Sequence, residues 1–202
     1  MTFAKIKNIV EKVMGGSLGN SGFERAGVMF WVRSSGFLWH GVKFYKHKDR
    51  LFGDVFLKYQ NAVGVKPDEA MDCSERLGDW AFDKYQTEEE FSEVAAATMR
   101  RSLLFASRFE TAKKILDEVE GGNVDSRYIF GRDIGWRTFN LATLYIENDF
   151  PDKAKALLTD VIANHSGQPF EWVQERRRLC EELLRKGGQV TNLDKRQGNG
   201  VR

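Results

Sequence analysis

Cysteine, proline and histidine are scarce in this 202-residue sequence, which has two cysteines, three prolines and three histidines. Cys73 and Cys180 lie far apart, which argues against a disulfide framework or a zinc cluster and fits a reducing compartment. No two histidines have the i, i+4 spacing of a helical metal pair. We therefore expect no metal, no cofactor and no catalytic residues.

Long apolar runs are also absent. No stretch approaches the roughly 18 to 20 apolar residues that a membrane span requires. The first residues, MTFAKIKNIVEKV, have lysines among their apolar residues and so lack the apolar centre of a signal peptide. The sequence predicts a cytoplasmic protein with no membrane partner.

Charge of one sign dominates two segments, although the net charge is only +2. Residues 1–66 have a balance of +7, residues 67–120 of −7, and the remainder of +2. Such asymmetry bears on partners and association rates rather than on fold. The basic and acidic segments either face one another or bind partners of opposite charge.

Apolar and aromatic residues are plentiful, at 42% and 12% of the chain, and their spacing predicts the secondary structure. Thr2 is a candidate N-cap for an amphipathic helix that ends in the glycine-rich segment 15–22. Three strand-like runs follow, Phe23 to Arg33, Phe37 to Lys46 and Leu51 to Asn61. They predict an antiparallel sheet of three or slightly more strands.

Side chains alternate across a strand, so each run presents two faces. The predicted core face consists of Val28, Phe30, Val32, Leu38, His40, Val42, Phe44, Val55, Leu57 and Tyr59. The opposite face is aromatic and basic, and it is the candidate partner-binding face: Trp31, Arg33, Trp39, Lys43, Tyr45, Phe56 and Lys58. An exposed patch of this kind usually marks an interface. Alternatively, the C-terminal helices cover it.

The remainder of the chain is predicted to be mostly helical. Residues 67–86 form an acidic connector after a first domain of residues 1–66, and Thr87 caps a helix that runs to about Ser107. Residues 87–186 form two helical hairpins, because similar segments recur at an interval of about forty-two residues. The second hairpin resembles a tetratricopeptide hairpin but lacks the tryptophan-leucine-glycine opening, and residues 187–202 form a disordered tail. The fold class is α+β.

A second candidate surface is acidic. Its members stand at a helix start and at a later helix end, and could bind a basic toxin such as a nuclease: Glu88, Glu89, Glu90, Glu93, Asp117 and Glu118. The alternative is a solvated helix start and end.

The order of these segments resembles a bacterial family known only as a domain of unknown function. The resemblance covers residues 3–110. It rests on Gly22 and Phe23 before a basic, aromatic strand at Phe30 to Arg33, and on Arg76 to Gly78 with Trp80 after the third strand. Members of that family resemble immunity proteins, the cytoplasmic proteins that bind and block a toxin from a rival cell.

The sequence thus predicts a non-enzymatic, protein-binding inhibitor, with an immunity protein as the first hypothesis. A phage or bacterial inhibitor of another cellular machine is a close alternative. Two alternatives belong to different classes. One is a single-stranded nucleic-acid binder, because the aromatic residues of the candidate face could stack on bases and its cations could contact phosphates. The other is an enzyme of a type that has no short sequence motif.

Overall fold

The structure, a computed structural model, describes residues 1–35, 38–59, 73–130, 134–164, 167 and 170–197. The chain divides into two compact units, Met1–Thr111 and Ala112–Arg202. The first combines two long helices with a five-stranded antiparallel sheet, and the second is helical. The predicted α+β fold is therefore confirmed.

The first unit begins with helix α1, Phe3–Asn20, which Thr2 caps through its side chain. The sheet follows in the order β1-β2-β3-β4-β5, with each strand antiparallel to the next. Helix α2 closes the unit and starts with a capping box between Thr87 and Glu90. The bounds of the remaining elements are β1 Glu24–Gly27, β2 Phe30–Ser35, β3 Leu38–His47, β4 Arg50–Tyr59, β5 Cys73–Ala81, a 3-10 turn Phe82–Lys84 and α2 Glu88–Arg108.

The run Phe23 to Arg33 is two strands, not the one that the sequence predicts. A turn at Val28 and Met29 separates β1 from β2, and Met29 has a positive φ of 50°. The Glu11 carboxylate of α1 holds this turn, because its Oε1 accepts from the Met29 backbone N–H at 3.0 Å and from Arg25 Nη2 at 2.8 Å. Neither Val28 nor Met29 is a typical turn residue, so the contacts with a helix side chain stabilise the reversal.

The fifth strand lies where the sequence predicts an acidic connector. Within 67–86, residues 73–81 pair with β4, and residues 67–72 lie outside the described part. The sequence CSERLGDWA has no β-branched residue and three charged ones, so it lacks the composition typical of a strand. The strand conformation of this segment is therefore stabilised by its hydrogen-bonded pairing with β4 and not by its local β propensity. The strand-end residues Phe37 and Asn61 also lie outside the described residues.

The core of the first unit lies between one face of the sheet and the two helices. The helices run in the same direction: Lys5 pairs with Glu88 near their starts, while Arg33 contacts the carbonyls of Ser21 and Ala106 near their ends. The buried side chains of this layer include Ile6, Val10, Met14, Leu18, Leu38, Val42, Phe44, Leu51, Val55, Leu57, Phe91, Ala95 and Phe105.

The second unit contains helices α3 to α7. Helices α5 and α6 form the hairpin that the sequence predicts, and they share a core cluster with α7: Phe139, Ala142, Ala154, Leu158, Val161, Leu179 and Cys180. The first predicted hairpin falls on the boundary between the units, since α2 belongs to the first and α3 to the second. The bounds are α3 Ala112–Glu120, α4 Ser126–Phe130, α5 Ile134–Glu147, α6 Pro151–Asn164 and α7 Glu171–Gln197.

The last helix continues beyond Lys186, where the predicted disordered tail begins. It extends to Gln197, and residues 198–202 lie outside the described part. Among the described helices, none combines the length and the apolar character that crossing a membrane requires.

Candidate partner-binding surface

Two of the predicted partner-binding residues lie on the opposite face of the sheet from their predicted place. Strand register pairs Trp31 with Val42 and Arg33 with His40, so both point toward the helices. Trp31 is 3% exposed and packs edge-on against Phe44 at 6.4 Å between ring centroids. The prediction was wrong because alternation separates the two faces of a strand but does not say which one is inside. In β2 both sets contain large apolar residues.

Arg33 joins the helices to the sheet instead of meeting a partner. Its Nη1 donates to the Ser21 carbonyl at 3.3 Å and its Nη2 to the Ala106 carbonyl at 3.5 Å, at the C-terminal ends of α1 and α2. A cation at this position offsets the partial negative charge of two parallel helix dipoles. Its guanidinium also lies 5.1 Å from the Phe23 ring centroid. Phe30 and Val32, predicted as core, lie on the other face.

We call that other side of the sheet the second face. Its residues form cross-strand rows, because directly paired residues of an antiparallel sheet project to the same side. One row runs Phe30, Lys43, Asp54 and Arg76; its neighbour runs Val32, Gly41, Phe56 and Ser74. The rows beyond them contain Tyr45 with Phe52 and Asp79, and Ser34 with Trp39 and Lys58.

The centre of the second face is buried. Phe56 is 0% exposed and Lys58 is 2% exposed, so neither has the accessible contact surface that the sequence predicts for it. The Phe56 ring lies directly over Gly41, since a Cβ added there would stand 2.0 Å from its Cζ. Phe30 stacks beside it at 6.0 Å between centroids. These buried side chains therefore form the base on which the accessible residues of the second face lie.

The accessible part of the second face is organised around Arg76. Its Nε donates to Asp54 Oδ1 at 2.5 Å and its Nη2 to the Tyr45 hydroxyl at 3.0 Å. The guanidinium carbon lies 4.9 Å from the Phe52 ring centroid, and Phe52 stacks on Tyr45 at 5.6 Å. Arg76 keeps 49% of its side chain exposed while Asp54 keeps 10%. The guanidinium is thus held in a fixed orientation at the surface.

Burial, and then the negative charge of Asp54, raise the pKa of the Tyr45 hydroxyl, while the charge of Arg76 opposes them. Tyr45 therefore remains a neutral hydroxyl at physiological pH and continues to accept a hydrogen bond from Arg76.

Trp39 and Lys43 complete the accessible patch. Both are half-buried, and the Lys43 ammonium lies 5.5 Å from the Phe30 ring centroid. We call the set Trp39, Lys43, Tyr45, Phe52 and Arg76 the aromatic-cation patch. Sequence reasoning found three of its members and missed Phe52 and Arg76. Arg76 could have been predicted from alternation, because Ser74 and Arg76 lie two residues apart and therefore on the same face of a strand. That inference requires knowing first that β5 is a strand.

The acidic candidates belong to the two different units. Glu88, Glu89, Glu90 and Glu93 lie on the first turns of α2, where Glu90 accepts from the Thr87 backbone N–H in the capping box. Glu88 pairs with Lys5 at 3.2 Å. These contacts account for two of the four carboxylates as helix-start structure.

The other two acidic candidates, Asp117 and Glu118, lie on α3 in the second unit. Asp117 pairs with Lys113 one turn earlier, at 2.9 Å. The geometry of each unit by itself therefore does not assemble the six carboxylates into one site.

His40 and Cys180 are buried, and their surroundings indicate structural roles. His40 Nε2 donates to the Phe109 carbonyl at the end of α2, at 2.9 Å. Burial raises the pKa of the Cys180 thiol to about 12, which suppresses the reactive thiolate. His165 lies outside the described residues, and no group of three or more His, Cys, Asp or Glu in the described part is placed to hold a metal.

Comparison with known proteins finds no match to a family model, a curated protein or a solved structure. The residues on which the family resemblance rests can still be placed. A Cβ added at Gly78 would stand 2.1 Å from the Trp80 ring, and Trp80 stacks on Phe44 at 6.1 Å. Gly78 and Trp80 therefore serve the core, whereas Arg76 serves the aromatic-cation patch.

Proposed function

We propose that this protein is a cytoplasmic, protein-binding inhibitor of the immunity-protein kind, and that its partner docks on the aromatic-cation patch. The observation that carries the proposal is the fixed, half-exposed guanidinium of Arg76 between Asp54, Tyr45 and Phe52. Tryptophan, tyrosine and arginine dominate interface hot spots. A preorganised arginine also loses little conformational entropy on binding.

Two arginines of the second face are paired with carboxylates, which favours a protein partner over a nucleic acid. Arg76 pairs with Asp54, and Arg50 pairs with Asp79 at 2.5 Å. Each pair is close to neutral, so neither arginine contributes the excess positive charge that draws a polyanion. The aromatic surface, in contrast, serves a protein interface without further charge.

The partner of an immunity protein is a toxin, and an inhibitor of another cellular machine would use the same patch. A binding role requires no reaction at the patch, and we propose none.

The test is a pull-down of the tagged protein from lysate of its own host, with and without nuclease, followed by mass spectrometry. We expect a stoichiometric protein that survives nuclease treatment. Trp39→Ala and Arg76→Lys should each weaken its binding by about 2 kcal/mol. Arg76→Lys is chosen because it keeps a positive charge beside Asp54 but loses the planar fork.

The matched control is Arg100→Lys, an exposed position on α2, which should leave binding unchanged. Recovery of nucleic acid, or of proteins that disappear with nuclease, would contradict the inhibitor proposal. A partner that binds both patch variants as tightly as the parent would show that it docks elsewhere.

A further inference from the structure

A groove of about 390 Å³ lies between the N-terminal halves of α1 and α2, on the helical side of the first unit. The helices cover the core face of the sheet, so the groove and the aromatic-cation patch lie on opposite sides of the sheet. The groove is lined by Lys5, Asn8, Ile9, Lys12, Val13, Glu88 and Ser92.

The groove has an apolar floor and a polar rim. Ile9 is buried and Val13 is half-buried, and they stand one turn apart on α1. Lys5, Asn8 and Lys12 are exposed along the α1 rim, while Glu88 and Ser92 form the α2 rim. This combination fits an amphipathic segment better than a purely polar one, because an apolar side chain can cover the floor while polar groups meet the rim.

Among the described residues, one lysine of the rim is paired with a carboxylate and the other is not. Lys5 is 3.2 Å from Glu88, which spans the groove at one end. Lys12, two turns further along α1, makes no ion pair with any part of the chain that the structure describes. The two lysines are separated by about 10.5 Å along the helix axis, the rise of seven residues.

We infer that this groove docks an acidic amphipathic helix of a partner protein. An apolar side chain of that helix covers Ile9 and Val13, and a carboxylate pairs with Lys12. A second carboxylate two turns away meets Lys5 and competes with Glu88 for it. Because the contact is only about two turns long, we expect it to be weak alone and to add to a larger interface.

The test uses the full-length protein and a capped 14-residue helical peptide with leucines on one face and glutamates on both flanks. Binding is followed by the backbone amide resonances in nuclear magnetic resonance titrations. A second peptide has glutamine at every glutamate. We expect the acidic peptide to shift the resonances of residues 5–13 and 88–92, and the glutamine peptide to bind about tenfold more weakly.

Two substitutions have opposite expected effects. Lys12→Glu should weaken the acidic peptide about tenfold, because it places like charges together. Glu88→Gln should tighten it a few-fold, because Lys5 loses its competing partner. Lys48→Glu is the control, since Lys48 is exposed in the β3–β4 turn and Lys48→Glu makes the same change of net charge as Lys12→Glu.

Three results would overturn the inference: no binding, equal affinity for both peptides, or equal effects of Lys12→Glu and Lys48→Glu. Displacement of the peptide by a twelve-nucleotide oligothymidine with the same resonance shifts would also overturn it, as a general polyanion surface would behave in this way. Trp39→Ala should leave peptide binding unchanged. The groove and the proposed function of the aromatic-cation patch can therefore fail independently.

Discussion

Arg33 and His40 show at the residue scale how basic side chains in an aromatic stretch can serve the fold. They are cross-strand neighbours on β2 and β3, and together they bind the carbonyls of Ser21, Ala106 and Phe109 at two helix ends. Helix C-termini leave carbonyls without intrahelical partners, and buried carbonyls need donors. Long-range capping of this kind has no local sequence signature.

His40 predicts a pH dependence of stability. Burial is the main cause that lowers the pKa of His40 below 6.5. The hydrogen bond to the Phe109 carbonyl and the charge of Glu110 raise this pKa, and the charge of Arg33 lowers it further. The unfolded state therefore binds a proton before the folded state does as pH falls. The free energy of unfolding should decrease below pH 6.5 by up to about 1.4 kcal/mol per pH unit until the folded pKa is reached.

Urea denaturation at pH 7.5 and at pH 5.5 measures this loss. In His40→Gln, whose amide can still donate toward Phe109, the loss between the two pH values should be smaller. His47→Gln is the control, because His47 is exposed, and it should retain the loss of the parent protein. Equal losses in the parent and in His40→Gln would show that His40 does not titrate differently on folding.

At the scale of elements, aromatic rings of the sheet pack directly over glycines of a neighbouring strand or of the same strand, in space that a side chain would fill. The Phe56 ring occupies the space above Gly41, and the Trp80 ring the space above Gly78. The bulge that brings Asp54 opposite Arg76 and Gly53 opposite Gly78 lies at Leu77 on β5, whose carbonyl accepts from Arg101 Nη1 at 2.6 Å. The sheet thus depends on ring-over-glycine contacts and on a side chain of α2.

Gly41→Ala tests this dependence. The added methyl would stand 2.0 Å from Phe56 Cζ, and Phe56 is fully buried, so the ring has no free space into which to move. We expect a loss of about 1–3 kcal/mol of unfolding free energy by chemical denaturation. Gly16→Ala is the matched comparison: it lies exposed in α1 with nothing within 4 Å of the added Cβ and should stabilise the protein by up to about 1 kcal/mol. Similar effects of both changes would contradict the packing argument.

At the scale of the whole molecule, the division after Thr111 separates two cores. The first unit buries its helices on the sheet, and α5, α6 and α7 of the second share a cluster of their own. A unit with its own core can in principle fold alone.

We therefore expect residues 1–111 to fold when expressed by themselves. The fragment should unfold cooperatively in urea and retain the near-ultraviolet circular dichroism of its buried tryptophan and tyrosine side chains. Residues 1–81 provide the comparison, because that fragment keeps all five strands but lacks α2 and leaves part of the core face uncovered. A fragment 1–111 without a cooperative transition would show that the first unit depends on the second.

The aromatic-cation patch could be predicted only in part. Trp39, Lys43 and Tyr45 were found because β3 has clear alternation, with Leu38, Val42 and Phe44 buried between them. Arg76 was missed because its strand has a composition typical of a loop, and Trp31 was misplaced because both faces of β2 are apolar. The burial of Phe56 and Lys58 could not be predicted either, because alternation along a strand does not say how much of each face is covered.

By itself the sequence determined the α+β class, the capped helices α1 and α2, and the inward faces of β3 and β4. These depend on periodicity and capping, which act over a few residues. Only the tertiary structure decided the turn at Met29, the strand β5 and the side of β2 that faces the helices. Each of these depends on a distant partner, such as Glu11 for the turn or β4 for the fifth strand, and the free energy of such contacts is absent from any local stretch of sequence.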